Sequence, residues 1–313
     1  MFDPISQSLK MVLVIPTLNA AFSWPRWLEA LQTQTLKPDF LLVIDSASTD
    51  QTPQLAAQAG FMVHSIQRED FNHGTTRQLG ATLVPEAELL LYMTQDAILA
   101  NPQALESLLA AFANPEVGVA YGRQLPHTDA QPIGRHARLF NYPAHSEVRS
   151  KSDIPTRGFK TAFSSDSFAC YRRTALEQVG GFPDKTIFGE DSLVAAKMLL
   201  AGWKVAYVAE AQVYHSHDYS LAQEFKRYFD VGVFHARNSW LLRAFGGAEG
   251  EGLKFLRSEM VYLWNHAPGL IPSALLRTLL KYLAYRLGRL EAHLPINLKL
   301  KLTLNKAFFA PEI

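Results

Sequence analysis

Aspartates, histidines and arginines recur at a few places in this chain, most of them just past a short apolar run. Pro16-Thr17-Leu18-Asn19 follows the first run, and Asp45-Ser46-Ala47-Ser48-Thr49-Asp50 the second. The stretch from Arg68 to Gly74, which holds His73, follows the third, and Thr94-Gln95-Asp96 the fourth. Farther on come Glu190-Asp191 and His215-Ser216-His217. Carboxylates and imidazoles hold divalent cations and move protons near neutral pH. Each residue alone has an ordinary alternative. Asp96 could simply cap a helix, as Asp, Asn and Ser do. So could Asp191, and a helix start would keep its carboxylate ionised. Arg77 suits phosphate through its planar fork, and equally suits a helix surface. His215 and His217 would share a face if a strand continued through them. Four polar endings in succession, however, have the makings of a site.

The elements that must position these groups are legible in outline. Residues 11–16, 40–45, 61–66, 88–93 and 117–122 are apolar, strand-like runs; helix-like stretches around Trp24–Gln34, 48–60, 75–84 and 101–112 separate them. This alternation predicts parallel βαβ units with right-handed crossovers. In open parallel sheets ligands sit beyond the carboxyl ends of the strands, which is where the polar endings fall. Residues 123–160, rich in Pro, His and basic residues, read as a long irregular connection. A strand over 165–173, a helix over 192–201 stopped by Gly202, and two short strands over 204–209 and 211–217 follow. From Leu221 the chain reads as mostly helical. Residues 275–290 carry Leu276, Leu279, Leu280, Leu283, Leu287 and Leu290 on one side; these leucines, like Trp24 and Trp27, are assigned to the core.

Composition narrows the class. A chain of 313 residues with 48% hydrophobic residues and 11% aromatics can bury a sizeable core, which excludes disorder as its main state. A single cysteine, Cys170, excludes an internal disulfide framework and a Cys-rich zinc site, and suits a reducing cytoplasm. The N-terminus does not read as a signal peptide, and no apolar run is long enough to span a bilayer. The glycine-rich nucleotide signatures and the G-x-S-x-G elbow are missing. Net charge is +1, but Lys254 to Ile313 hold nine Lys/Arg against three acids, a surplus of six, so the preceding residues are five negative. An acidic body with a basic tail speaks against a nucleic-acid binder. Such a tail either packs as a solvated helix surface or contacts an anionic membrane, where each Lys or Arg contributes about 1 kcal/mol.

Several of these segments resemble a known family. VIPTLN at 14–19, VIDSASTD at 43–50, TQDA at 94–97 and FGEDSL at 188–193 are similar to inverting family-two glycosyltransferases of the GT-A fold. FNHGTTRQLG at 71–80, MTQDAILANP at 93–102, VYHSHDYS at 213–220 and the tail further resemble bacterial rhamnosyltransferases of surface-polysaccharide (O-antigen type) assembly. The resemblance implies an α/β fold: a Rossmann-like mixed sheet with a C-terminal helical extension. The catalytic domain would span 1–218, with a nucleotide-binding half over about 1–122 and an acceptor half over about 123–218; the extension would span 219–313. It implies transfer of L-rhamnose from dTDP-β-L-rhamnose to a lipid-linked saccharide, at the inner face of the cytoplasmic membrane. UDP-galactofuranose or a UDP-hexose as donor, or a non-catalytic binding scaffold, are the alternatives. Asp191 would be the base and Glu190 its support. Asp96 and His215 would hold Mg²⁺ or Mn²⁺, although the family's Asp-x-Asp is here reduced to its last carboxylate. Pro16, Thr17, Asn19, Asp45, Ser46, Gln95 and Asp96 would hold the donor nucleotide, with Asp45 accepting from the base. His73 and Arg77 would meet the base or diphosphate.

Overall fold

A mixed sheet of nine strands runs through the computed structural model, which describes residues 9–246 and 250–310. Residues 1–8 and Glu312, which entered the signal-peptide and charge readings, lie outside the described residues. The strands are β1 (Met11–Thr17), β2 (Phe40–Asp45), β3 (Met62–Ser65), β4 (Leu89–Met93), β5 (Ile98–Leu99), β6 (Val117–Leu125), β7 (Glu147–Arg149), β8 (Phe168–Arg172) and β9 (Lys204–Tyr214). Helices α1 (Trp24–Gln32), α2 (Thr52–Gln58), α3 (His73–Leu83), α4 (Ala104–Ala110), α5 (Pro132–Asn141), α6 (Ile154–Arg157), α7 (Arg173–Gln178) and α8 (Glu190–Leu200) lie between them. After β9 come α9 (Leu221–Arg237), α10 (Ser239–Phe245), α11 (Glu251–His266), α12 (Ile271–Arg289), α13 (Ile296–Leu302) and α14 (Lys306–Phe309).

In space the order is β3-β2-β1-β4-β8-β6-β9-β5, with β7 on β9. β1 pairs in parallel with β2 and β4, and β2 with β3, as the alternation predicts. β8 runs against both β4 and β6. That reversal shapes the site: Phe168, where β8 begins, pairs with Met93, where β4 ends. Polar residues ahead of β8 therefore reach the same edge as those after β4.

Both faces of the sheet are buried, because side chains alternate along each strand. Met11, Leu13 and Ile15 join Trp24 and Trp27 of α1, whose rings stack 5.2 Å apart, on one face. Val12 and Val14 join Ala81 of α3 and Val194 of α8 on the other. Phe229 and Val233 of α9, Ala284 of α12 and Phe309 of α14 belong to that second cluster. Helices beyond residue 218 thus complete the core of the sheet. α9 and α12 cross with no room between them: a Cβ at Gly288 would lie 2.1 Å from the Phe229 carbonyl oxygen, and one at Gly232 2.3 Å from that of Tyr285. Asp230 of α9 accepts from Thr303 Oγ1 (2.6 Å) and the Leu304 amide (3.0 Å), latching the tail's end.

The structure corrects four expectations. Residues 123–160 are largely ordered into the end of β6, α5, β7 and α6. The composition hid α5 because its buried residue is a histidine, His136, which packs among Phe140, Phe255 and Tyr262. The two strands expected over 204–217 are one, β9; its register on β6 jumps between Gly122–Val208 and Arg123–Gln212, so a bulge imitates a break. Asp96 caps no helix, since β5 follows it and α4 begins only at Ala104. Finally, the leucine stripe over 275–290 faces the core only in part: Ala274, Ala284 and Gly288 are the buried residues of α12, Leu287 packs half-buried against the core and Leu280 is half-buried, while Leu276, Leu279, Leu283 and Leu290 are exposed.

Candidate active site and metal centre

Asp96 lies just past β4, and His215 and His217 just past β9. The strand stops at Tyr214, yet both imidazoles converge on the carboxylate. His215 Nε2 is 3.4 Å and His217 Nε2 3.6 Å from Asp96 Oδ2, and the three donors lie within 4.8 Å of one another. A buried amide sets the inner histidine. Gln124 Oε1, which can only accept, faces His215 Nδ1 at 2.9 Å and also takes Arg138 Nη1 at 2.6 Å. The Nδ1 proton of His215 is thereby placed toward Gln124, and Nε2 is turned toward Asp96. Burial acts to raise Asp96, but its hydrogen bond to His215 and the neighbouring imidazole charges hold its carboxyl well below the usual range. Burial and the charge of His215 bring His217 down to about 4. At neutral pH the cluster presents one carboxylate and a neutral His217, a donor set that fits a borderline-hard divalent ion.

Glu190 and Asp191 open α8. Its N-cap is Gly189 at φ 75°, a left-handed conformation in which a side chain is strained, and Phe234 of α9 presses against that glycine. Asp191 is therefore inside the first turn rather than at the cap. Its Oδ1 accepts from the Ser192 amide at 2.6 Å and its Oδ2 from the Asp166 amide at 3.3 Å. Burial, then the charge of Glu190, push its carboxyl up to about 6. Burial would raise Glu190 too, but Arg77 and His73 hold it below its usual value. Arg77 Nη1 is 2.9 Å from Glu190 Oε1, and its Nε 2.8 Å from Asp166 Oδ2. Tyr171 donates to Asp166 Oδ1 at 2.6 Å. Burial pushes Asp166 well above the usual carboxylate range.

Arg77 is thus turned inward, 4% exposed and engaged by two carboxylates and the His73 carbonyl. It is buried between Asp166 and Glu190, where the resemblance had implied contact with the base or diphosphate of a donor. Asp45 is buried as well, accepting from Thr17 Oγ1, the Ser48 amide and Ser48 Oγ. The loops around it are stitched together: Asn19 Oδ1 accepts from the Thr49 amide, and the Gln95 side chain clamps both backbone groups of Leu18. Ser46 is buried, whereas Asn19 is exposed.

One short segment joins the two halves of the site. Ser165 Oγ accepts from Gln124 Nε2 at 2.8 Å; the next residue, Asp166, gives its amide to Asp191 and its carboxylate to Arg77; Ser167 O accepts from the Thr94 amide.

The sequence pattern described as "Glycosyl transferase family 2" matches residues 12–180. The chain is 49% identical over 290 residues to the O-antigen chain rhamnosyltransferase RfbN of Salmonella typhimurium, covering 92% of each. The chain belongs to glycosyl transferase family 2. It is also 48% identical over 286 residues to the O-antigen chain rhamnosyltransferase WbaN of Salmonella anatum, covering 91% of each. Among solved structures, the mannosyltransferase PcManGT of Pyrobaculum calidifontis, in complex with GDP-Man and Mn²⁺, superposes with a TM-score of 0.57 at 20% identity, covering 94% of this chain and 84% of that one. That likeness supports the GT-A fold.

In this family 2 glycosyltransferase, Gln124, Arg138, Ser165 and Asp166 escaped the sequence reading. Gln124 and His215 are 91 residues apart, and an amide has no chemical signature of its own. A signal did exist for Ser165 and Asp166. The polar run Ser164 to Ser167 precedes a strand that has to lie antiparallel for its start to reach this edge.

Proposed function

We propose that this glycosyltransferase moves L-rhamnose from dTDP-β-L-rhamnose to a saccharide acceptor carried on a lipid, with inversion to an α-linkage. The observation that carries the reading is the joining of an imidazole–carboxylate cluster to a partly protonatable aspartate through Ser165 and Asp166. The near-half identity to two O-antigen chain rhamnosyltransferases supports rhamnose as the sugar.

Asp191 takes the proton of the acceptor hydroxyl as that oxygen bonds to the anomeric carbon. The bond from that carbon to the diphosphate breaks, and dTDP leaves with the electron pair. Asp96, His215 and His217 would hold Mg²⁺ or Mn²⁺, whose charge offsets that developing on the diphosphate. His217 supplies the donor that the reduced Thr94-Gln95-Asp96 motif lacks. Pro16, Thr17, Asn19 and Ser46 hold the nucleoside, with Asp45 and Gln95 fixing the loops that present them. Glu190, His73 and Arg77 act from beneath, keeping the base in place. The lipid-linked acceptor places the enzyme at the inner face of the cytoplasmic membrane.

The test is a donor panel of dTDP-rhamnose, UDP-galactofuranose and UDP-glucose with Mg²⁺ or Mn²⁺ and saccharide acceptors. Turnover or donor hydrolysis should be selective for dTDP-rhamnose. Selective use of a UDP-sugar overturns the donor, and inertness toward all three overturns the reading.

A further inference from the structure

The outward leucines of α12 have company. Val261 and Trp264 of the neighbouring α11 are 65% and 72% exposed, and Leu279 of α12 is 54% exposed. α11 and α12 lie side by side and antiparallel: a three-residue turn at Pro268–Leu270 joins them, and Lys281 Nζ of α12 sits 5.4 Å from the Phe255 ring of α11. On α12, positions 276, 279 and 283 fall on one side at helical spacing, and on α11 positions 253, 257, 261 and 264 do so. Isolated exposed leucines mean little, but adjoining rows on paired helices form the kind of patch that marks an interaction surface.

Charge decides what the patch fits. From the start of α11 to residue 310 the sequence has three acids: Glu259 and Glu291 are 1% and 2% exposed, and Glu251, at the first position of α11, is paired with Lys160 and Lys254. This segment therefore shows no unpaired carboxylate to solvent, while Arg257, Arg286, Arg289 and Lys301 are exposed. A second copy of the chain would bring the same cations against these, with no acid on the patch to answer them. A neutral apolar partner would leave them unpaired. An anionic bilayer surface satisfies both parts: leucine and tryptophan enter the headgroup boundary while long basic side chains reach back to lipid phosphates. Among the described residues no helix is long and apolar enough to cross a membrane, so contact is in the plane of the surface.

We infer that the α11–α12 pair docks the protein on anionic phospholipid, lying flat with Val261, Trp264, Leu279 and Leu283 inserted. This deepens the lipid-linked-acceptor reading, yet it is tested without any sugar donor. Purified full-length protein is floated with vesicles of phosphatidylglycerol and phosphatidylcholine, and with vesicles of phosphatidylcholine alone. Binding is expected to the anionic vesicles, to weaken with added salt, and to be absent from the neutral ones. Val261→Glu/Trp264→Glu and Leu279→Glu should each lower the bound fraction at least tenfold. Met62→Glu, which alters an exposed apolar residue on β3, should bind as wild type. All of these positions are exposed, and unchanged thermal melting confirms folding. Wild-type binding by the patch variants overturns the inference, as does failure to bind anionic vesicles. A dimer that Leu279→Glu converts to monomer, with no lipid binding, overturns it in favour of a second copy. Turnover on a short soluble acceptor should survive the patch substitutions; its loss in them would show that the patch serves the catalytic body instead. Lack of turnover in the wild type would refute the rhamnosyl reading and leave the vesicle result standing.

Discussion

Burial first, and then the negative charge of Glu190, push the Asp191 carboxyl up to about 6, outweighing the Ser192 and Asp166 amides, whose hydrogen bonds favour the ionised form. Only the ionised form can take a proton. We predict that kcat/KM rises with pH through a limb near 6. Asp191→Asn should abolish that limb and lower kcat by about 10²–10⁴-fold, with thermal melting retained. Arg77 acts at one remove. Arg77→Lys keeps a charge but cannot span Asp166 and Glu190 together, so the base shifts; kcat should fall, by on the order of 10²-fold for a displacement of about 1 Å, while the donor KM holds. A raised donor KM with unchanged kcat would return Arg77 to the donor. Gln124→Leu removes the acceptor that orients His215, and Mn²⁺ binding measured by electron paramagnetic resonance in the presence of dTDP should weaken about 10–100-fold. The convergence of Asp96 with His215, and the place of Asp191 at a helix start, were legible in the sequence because few residue types combine carboxylate and imidazole chemistry at such positions. Gln124 was not, and Arg77 was picked out only for its planar fork, because the partners of both, His215 for one and Asp166 and Glu190 for the other, come from far along the chain.

The crossing of α9 and α12 depends on two glycines that meet backbone to backbone. Gly288→Ala forces the helices apart and should lower stability by about 1–3 kcal/mol, read as a drop in melting temperature. The parallel strands and their connecting helices were readable because apolar runs with turn signals between them are strong local patterns. Helix α5 was not, since a histidine lies on its buried side, packed against rings of α11 and hydrogen-bonded at Nε2 to Ser258 of the same helix. The leucines of α12 misled for the opposite reason. Periodicity locates a helical face but not what lies opposite it, and here alanine and glycine fit the narrow gap beside α9.

Across the whole molecule, the charge contrast between body and tail was visible in composition, whereas the burial of the tail's two central acids was not. The helical extension beyond residue 218 is also part of the sheet's own core, through Phe229, Val233, Phe234 and Ala284. Ending the chain at Asp218 would strip one face of its cover. The shortened protein should bind hydrophobic dyes and lack a cooperative melt; a normal melt would show that the body folds unaided. The stretch Ser165–Ser167 has a wider consequence. Adjacent residues of this stretch hold Gln124, which orients His215, and Asp191, the base of the proposed reaction, so one short segment braces both ends. Under the proposed reaction, a change of sugar would fall to the walls around that spine, leaving the chemistry of departure untouched.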